Sequence, residues 1–173
     1  MKSNSAKLKI LLDTSFLLPT LGISVSGDTQ RGIEILAETE GIEIYYSRFS
    51  ILESLWVATR TIHDDASYVE SLGPGLRSIM EEGRYRLVEE DSEIFREAFS
   101  LFRLGHKDMI DNMLCATAAR HSLYLLTVDE ELRKFILEKQ LKDKILLMSV
   151  EPLAFFALKS RKGKDNNSSR LPA

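Results

Sequence analysis

Cysteine is almost absent from this sequence, because Cys115 is the only one among 173 residues. A single thiol excludes an intramolecular disulfide. Cys115 lies in an apolar stretch without an obvious activating base, so we interpret it as a core thiol and not as a nucleophile. No apolar run reaches the roughly 18 residues that span a bilayer, and the polar start MKSNSAK does not resemble a signal peptide. We therefore expect a cytoplasmic protein without a membrane partner.

Histidine and an excess of basic charge are also lacking. His63, His106 and His121 do not have the spacing of metal ligands, and we expect them at the surface. Neither GxxxxGK[ST] nor GxGxxG occurs, so a nucleotide cofactor has no support. Acidic residues outnumber basic ones by 26 to 23, which gives a net charge of −3. This balance disfavours a protein that coats nucleic acid, but it does not exclude an enzyme that contacts a few nucleotides.

What the sequence does contain is an alternation of short apolar segments and amphipathic ones. The apolar segments predict five strands, at residues 8–12, 42–46, 85–89, 123–128 and 144–150. The amphipathic segments predict helices from about Ser15 and over residues 30–40, 48–61, 92–103, 108–121, 130–139 and 151–158. Asp28 or Thr29 is the expected cap of the helix over 30–40, and Ser47 that of the next helix. The breaker GPG at 73–75 predicts two short helices within 64–84.

Short apolar strands without strict alternation indicate a parallel sheet that is covered on both faces. We predict a three-layer α/β/α sandwich with a central, mainly parallel five-stranded sheet. Residues 1–158 are expected to form a single domain, which is long enough to bury its own core. Residues 159–173 are polar and basic, so we expect a mobile end.

Two aspartates directly follow predicted strands. Asp13 ends the segment KILLD, and Asp129 comes just after the fourth strand in LLTVD. In open parallel sheets, ligands bind at the carboxyl ends of the strands. We therefore expect both carboxylates at the same edge of the sheet, although they are far apart in sequence. Ser15 and Thr127 lie two residues from these acids, where their hydroxyls would orient the carboxylates.

Two further acids interrupt apolar faces of predicted helices. Glu53 lies at helical spacing between Phe49 and Trp56, and no basic residue lies one turn away. Asp111 shares a face with Asp108 on a helix that is otherwise almost entirely apolar. Because polar groups on a buried helix need partners, both acids call for an explanation beyond solubility.

Each of these acids also has a purely structural interpretation. Asp13 would begin a turn or cap the next helix, and Asp129 is a strong N-cap candidate before EELRKF. Asp111 would sit in a first helical turn, where the helix dipole favours negative charge. Glu53 would pair with a distant arginine. The functional interpretation is favoured because the predicted fold brings all four acids to one place.

Carboxylates that are packed together repel one another unless some are protonated or a cation neutralises them. A site with only oxygen ligands suits Mg²⁺ or Mn²⁺. Such ions polarise a phosphodiester and lower the pKa of a bound water, which is the chemistry of a metal-dependent nuclease.

The segments ILLDTSFLL, SRFSILESL and IDNMLCATAARHSLYLLTVDEEL resemble the motif blocks of the PIN domain family, over roughly residues 8–150. The resemblance implies a small α/β/α fold and a metal-dependent ribonuclease site, as in VapC-like toxins and related RNA-processing nucleases. It also implies that the catalytic and metal-binding acids are Asp13, Glu53, Asp111 and Asp129. Ser15 and Thr127 match the family's hydroxyl positions, and Asp108 is an additional acid.

We therefore predict an Mg²⁺- or Mn²⁺-dependent endoribonuclease with RNA as its substrate. The resemblance adds an antitoxin protein and a second copy of the chain, in a homodimer, as expected partners. Residues 64–84 and the tail make the chain longer than a minimal toxin of this family. The aromatic side chains Trp56, Phe95, Phe99 and Phe102 are interpreted as core or interface residues. Two competing interpretations remain: a non-catalytic PIN-fold module that binds RNA or protein, and a metal-dependent phosphatase for small phosphoesters.

Overall fold

The computed structural model describes residues 7–61 and 66–168 and contains a five-stranded, all-parallel sheet. Its strands are β1 (Leu8–Leu12), β2 (Ile42–Tyr46), β3 (Tyr85–Leu87), β4 (Tyr124–Leu126) and β5 (Leu146–Met148). They lie in the order β3-β2-β1-β4-β5. The chain winds outward from β1 in both directions, so the topological switch point lies between β1 and β4. The carboxyl ends of these two strands are where such sheets bind ligands.

The helices that the structure describes are α1 (Gly27–Glu38), α2 (Arg48–Thr61), α3 (Ala66–Met80), α4 (Ser92–Leu104), α5 (Met109–His121), α6 (Glu130–Glu138) and α7 (Val150–Ser168). Successive strand residues point to opposite faces of the sheet. Ile10 and Leu12 pack with α1, α2, α3 and α7 on one face, and Leu11 packs with α4, α5 and α6 on the other. The predicted three-layer α/β/α sandwich is therefore confirmed.

Several element boundaries differ from the prediction. β1 and β2 have the predicted limits, whereas β3, β4 and β5 are shorter than predicted. The expected helix from Ser15 is replaced by two short 3₁₀ turns, at Thr14–Phe16 and Leu18–Leu21. Pro19 lies at the start of the second turn and Gly22, with φ 79°, ends it, so this segment cannot continue as a regular α-helix.

The caps of two helices test the sequence interpretation. Ser26, and neither Asp28 nor Thr29, caps α1: its Oγ accepts a hydrogen bond from the Thr29 backbone N–H at 3.4 Å. Asp28 instead lies in the first turn, where the helix dipole favours its charge. Ser47 is confirmed as the cap of α2, because its Oγ accepts from the backbone N–H of Phe49 at 3.1 Å.

The two short helices predicted within 64–84 are wrong for the described residues, which form the single helix α3 with Pro74 inside it. Residues 62–65 lie outside the described part of the chain. The packing of this segment in the fold outweighs the local tendency of Gly and Pro to break a helix. At Gly75 the helix backbone lies so close to the 3₁₀ turn after β1 that an added Cβ would be 2.3 Å from the carbonyl oxygen of Thr20.

We expect Gly75→Ala to lower the free energy of unfolding by about 1–3 kcal/mol, because the new methyl group meets backbone that cannot move aside cheaply. Gly27→Ala, in the first turn of α1, is the matched control, since a Cβ there would have no other atom within 4 Å. That substitution should be neutral or stabilising, by up to about 1 kcal/mol, through helix propensity alone. Urea unfolding of both variants measures the difference, and equal effects would contradict the proposed close approach.

The last helix extends beyond its predicted end at residue 158, because α7 continues to Ser168. The first part of the expected mobile tail is therefore helical, and residues 169–173 lie outside the described residues. The assignment of residues 1–158 to one domain stays a prediction. Of the helices described, none is both long and apolar enough to cross a membrane.

Three aromatic side chains interpreted as core or interface residues are not core residues. Trp56 is 59% exposed, Phe95 50% and Phe99 57%. Phe99 stacks on Phe102 with the ring centroids 6.4 Å apart. An interface role for this surface stays a prediction.

Candidate functional site

Asp13 leaves the central strand β1 at its carboxyl end. Its backbone N–H donates to the carbonyl oxygen of Leu126 at 3.1 Å, so the pairing with β4 continues into this residue. Asp13 Oδ2 accepts a hydrogen bond from Thr127 Oγ1 at 2.7 Å. The pKa of Asp13 is raised to about 6, mainly by burial; the hydrogen bond from Thr127 opposes the rise, and the charges of Glu53 and Asp129 add to it.

Thr127 connects the ends of β1 and β4. Its buried hydroxyl donates to Asp13 and accepts from the backbone N–H of Asp129 at 3.0 Å. Asp129 Oδ1 in turn accepts from the backbone N–H of Leu132 at 2.9 Å and caps α6, which confirms the structural interpretation of this acid. Because a carboxylate has two oxygens, a cap through Oδ1 is compatible with a second role for Oδ2.

We expect Thr127→Val to lower the free energy of unfolding by about 1–3 kcal/mol, because it removes both hydrogen bonds while keeping the side-chain shape. It should also raise the pKa of Asp13 further, since the bond that opposes burial is lost. Thr59→Val is the control: the Thr59 hydroxyl is exposed and bonds only within its own helix turn, to Trp56 O at 2.9 Å. Urea unfolding and the carboxyl ¹³C titration of Asp13 measure the two effects. A Thr127 variant as stable as the Thr59 variant would contradict the assignment.

Glu53 reaches the same strand ends from α2. Its Oε2 accepts a hydrogen bond from Thr14 Oγ1 at 2.5 Å. Burial raises the pKa of Glu53, the bond from Thr14 opposes the rise, and the negative charge of Asp108 adds to it. Glu53 therefore has a hydroxyl partner and not the distant arginine of the structural interpretation.

The hydroxyl predicted to steady Asp13 does not do so. Among the residues that the structure describes, Ser15 Oγ is buried and has no hydrogen-bond partner. In the 3₁₀ turn after β1 it is the adjacent hydroxyl, that of Thr14, that donates a hydrogen bond to Glu53. Asp13 accepts its hydrogen bond from Thr127, which directly follows the neighbouring strand β4. The sequence identifies hydroxyls near the acids, but the turn geometry decides which of them makes contact.

Asp108 and Asp111 begin α5. Asp108 caps the helix, because its Oδ1 accepts from the backbone N–H groups of Ile110 at 2.9 Å and Asp111 at 3.2 Å. Asp111 follows in the first turn, with only 16% of its side chain exposed. Burial, with a smaller contribution from the charges of Asp13, Asp108, Asp129 and Glu53, raises the pKa of Asp111 to about 8.

These five residues form one like-charged group, which we call the acid cluster: Asp13, Glu53, Asp108, Asp111 and Asp129. Its members come from four different parts of the fold, and their charges act on one another. Their oxygen donors fit the chemistry of Mg²⁺ or Mn²⁺, and a bound cation would relieve the repulsion that raises their pKa values. Within residues 7–61 and 66–168, however, no three acid, histidine or cysteine side chains are grouped as an ion-binding set. The four predicted acids are therefore close enough for their charges to interact, but among the described residues they are not drawn together into a closed set of metal ligands.

His106 is not the surface residue that the sequence predicted. Only 12% of its side chain is exposed, and its ring packs on Phe135 with the centroids 5.0 Å apart. Its Nδ1 lies 3.0 Å from Asn112 Oδ1, and its Nε2 lies 3.9 Å from Asp111 Oδ2. The sequence feature that could have indicated this position is Asn112, an amide on an otherwise apolar helix. The structure shows that this amide is fully buried, so it needs a polar partner.

Neither His121 nor Cys115 belongs to the acid cluster. His121 is exposed at the end of α5, as predicted, with Nε2 3.1 Å from the carbonyl oxygen of Glu89. His63 lies outside the described residues. Cys115 is confirmed as a core thiol, because it is fully buried and burial raises its pKa well above the ordinary value.

Comparisons with known proteins agree with this architecture. The solved structure of VapBC2 from Rickettsia felis, bound to a DNA fragment from its promoter, matches with 14% identity and a TM-score of 0.54, covering 82% of this chain and 98% of that one. FitAcB from Neisseria gonorrhoeae matches with 16% identity and a TM-score of 0.53, covering 82% and 97%. PAE2754 from Pyrobaculum aerophilum matches with 18% identity and a TM-score of 0.51, covering 88% and 96%. At these identities the likeness shows the fold alone.

At the sequence level, a search of curated proteins finds no significant match. The family description "PIN domain" matches residues 10–136, which is more than half of the chain and includes every member of the acid cluster. A match of this extent shows that the chain belongs to the PIN domain family, in agreement with its fold.

Proposed function

We propose that this protein is an Mg²⁺- or Mn²⁺-dependent endoribonuclease that hydrolyses RNA phosphodiester bonds at the acid cluster. The observation that carries the proposal is the group of carboxylates at the switch point of the sheet, where burial, together with repulsion between the acids, raises the pKa of Asp111 to about 8 and that of Asp13 to about 6. Groups that are this strongly perturbed by burial and by like charge are typical of functional sites. Family membership supports a nuclease as the class of enzyme.

Four residues would hold the metal: Asp13, Glu53, Asp111 and Asp129. A bound divalent ion supplies polarisation of the phosphodiester and a lowered pKa of the attacking water. Thr127 orients the Asp13 carboxylate, and Thr14 orients that of Glu53, each through a hydroxyl that donates to it. Asp108 holds the first turn of α5, and hence Asp111, by capping the helix. The short hydrogen bonds keep these carboxylates in place before any ligand arrives.

The direct test is cleavage of single-stranded and structured RNA by the purified protein, with Mg²⁺ or Mn²⁺ and with excess chelator. We expect cleavage that requires the ion and that falls by about 100-fold or more in Asp13→Asn, because neutralising a central carboxylate weakens both metal binding and positioning. Asp143→Asn is the matched control, since Asp143 is exposed in the loop before β5. If Asp13→Asn cuts as fast as Asp143→Asn, the assignment of the site fails.

The competing interpretations make different predictions in the same experiment. A non-catalytic RNA-binding module would bind the RNA without cutting it at any metal concentration. A phosphatase for small phosphoesters would hydrolyse an aryl phosphate and leave RNA intact. Cleavage that requires a metal and Asp13 excludes both.

We also propose an antitoxin protein as a partner, because the chain resembles VapC-like toxins and matches the fold of VapBC2 and FitAcB. A cognate antitoxin should copurify with the chain and suppress RNA cleavage. Cleavage that is unchanged at saturating antitoxin would contradict this assignment.

A homodimer is the second assembly that we propose. The exposed side chains of Trp56, Phe95 and Phe99 offer apolar surface to a second copy of the chain. Light scattering at micromolar concentration should give about twice the monomer mass, and Phe99→Asp should give the monomer mass. A monomer in the parent protein would contradict the proposal.

A further inference from the structure

The junction between α4 and α5 holds His106 in one place. Gly105 ends α4 with φ 121°, and its backbone N–H donates to the carbonyl oxygen of Phe102 at 3.1 Å. The next N–H, that of His106, donates to the carbonyl oxygen of Leu101 at 3.3 Å. These bonds form a helix C-cap that needs a left-handed residue, which glycine supplies. The backbone of His106 is thus set by the end of α4.

Asn112 on α5 determines which ring nitrogen of His106 carries the proton. Its Nδ2 donates to the backbone carbonyl oxygen of His106 at 2.9 Å, and a carbonyl can only accept. The amide oxygen must therefore be the atom that faces the ring, 3.0 Å from His106 Nδ1. An amide oxygen also only accepts, so Nδ1 is the N–H and donates. In the neutral ring, Nε2 then bears the lone pair.

The Nε2 atom that bears this lone pair lies close to the carboxylate of Asp111. His106 Nε2 and Asp111 Oδ2 are 3.9 Å apart, which is too long for a hydrogen bond, and both side chains are largely buried. Phe135 covers the ring of His106. Two electron-rich atoms this close out of water are unfavourable unless a proton or a metal cation lies between them. In the metal-free protein a proton on either group satisfies this requirement, and a divalent ion that displaces the proton can be shared by both atoms.

We propose that His106 Nε2 is a direct ligand of the divalent ion, together with Asp111, so that the centre contains a nitrogen donor besides its carboxylates. This inference rests on the proposed function for the presence of the ion. Metal-binding histidines usually donate their other N–H to a fixed acceptor, and Asn112 Oδ1 is such an acceptor. The consequence is ion preference: Mg²⁺ strongly favours oxygen ligands, whereas imidazole suits transition metals, so this site favours Mn²⁺ over Mg²⁺.

The decisive measurement is electron spin echo envelope modulation of Mn²⁺ bound to the full chain. A coordinated imidazole gives ¹⁴N modulation, which disappears when the protein is made with ¹⁵N-histidine. We expect both results with the unmutated protein, so the test does not depend on whether a variant folds. His106→Gln should lose the ¹⁴N signal. His121→Gln, the matched control at an exposed histidine on the same stretch of chain, should keep it.

Calorimetric titration gives an independent readout of the ion preference. His106→Gln keeps a donor for Asn112, and we expect it to weaken Mn²⁺ binding by about tenfold or more. Mg²⁺ binding should weaken by a smaller factor, because Mg²⁺ accepts an oxygen or a water in place of nitrogen. His121→Gln should change neither affinity. Equal losses for the two ions in His106→Gln would overturn the assignment of His106 as a ligand.

The outcomes separate this inference from the proposed function. Mn²⁺ binding that needs Asp13 and Asp111 but shows no ¹⁴N modulation overturns the role of His106 and leaves the ribonuclease proposal standing. Nitrogen-coordinated Mn²⁺ on a protein that never cuts RNA supports the role of His106 and overturns the ribonuclease. Modulation that survives in His106→Gln assigns the nitrogen to another residue and overturns the inference.

Discussion

Asp111→Asn is expected to abolish RNA cleavage and, at the same time, to stabilise the metal-free protein. The loss of activity should be about 100-fold or more, because the variant lacks one of the proposed metal-binding carboxylates. The gain in stability arises because the Asp111 carboxylate is unfavourably buried among like charges in the folded protein. Burial and the charges of Asp13, Asp108, Asp129 and Glu53 together raise its pKa to about 8. An amide of the same shape bears no charge to bury or repel.

The size of the stabilisation should depend on pH. Each unit of pKa shift corresponds to about 1.4 kcal/mol, and part of this is lost because a buried amide needs hydrogen bonds of its own. We expect the stability of the variant relative to the parent to rise by about 1.4 kcal/mol per pH unit between pH 4 and 8, where the Asp111 carboxyl is ionised in the unfolded parent and mostly neutral in the folded one, and we expect the variant to be the more stable of the two at pH 8. Urea unfolding with chelator present measures this difference. Asp143→Asn, at an exposed site, should stay within about 0.5 kcal/mol of the parent.

The combination of the two effects is what tests the site. A residue that only supports the fold would lose stability and activity together when it is changed. Replacing a functional carboxylate in a repulsive cluster lowers the activity of the protein and raises its free energy of unfolding. If Asp111→Asn is less stable than the parent at pH 8 and still cuts RNA, both the electrostatic account and the catalytic assignment fail.

The second large effect is the pH dependence of stability in the parent protein, which a bound metal should remove. Asp111 and Asp13 have raised pKa values in the folded state, about 8 and about 6, so the folded protein binds more protons than the unfolded chain. The free energy of unfolding therefore falls as pH rises. The slope should be up to about 2.7 kcal/mol per pH unit between pH 4 and 6, where both groups contribute. Between pH 6 and 8 Asp111 alone contributes about 1.4 kcal/mol per unit.

Saturating Mn²⁺ or Mg²⁺ should remove this decline, because an ion that binds the carboxylates replaces their protons and binds more tightly as pH rises. At an ion concentration of 100 times Kd, the stabilisation is about 2.7 kcal/mol. Thermal unfolding at pH 5, 6, 7 and 8, with chelator and with each ion, measures both slopes. The control is Asp111→Asn, in which the decline between pH 6 and 8 should be absent even with chelator. A parent protein that becomes more stable from pH 5 to 8 in chelator would contradict the raised pKa values.

Local signals explain which parts of the fold could be predicted. The limits of β1 and β2 match the predicted strands because their apolar and β-branched residues and their polar flanks lie next to each other in sequence. β3, β4 and β5 are shorter than predicted, since the length of a strand pairing depends on the neighbouring strand as well as on the local sequence. The prediction of two helices within 64–84 was wrong for a related reason: α3 packs closely against the turn at Thr20 through Gly75, and this contact between distant residues has no local signal in the sequence around GPG.

The sequence by itself determined the architecture and the positions of the acids, because strand–helix alternation and a charge that ends an apolar strand are patterns within a few residues. Only the tertiary structure decided which groups those acids meet. The hydroxyl of Thr14, and not that of Ser15, contacts Glu53, and Thr127 connects the ends of two strands. His106, which was predicted at the surface, is a largely buried neighbour of Asp111. These contacts join residues that are distant in the chain, and so does the repulsion that raises the pKa of Asp111. Both arise only when parallel strands place their carboxyl ends at one edge of the sheet.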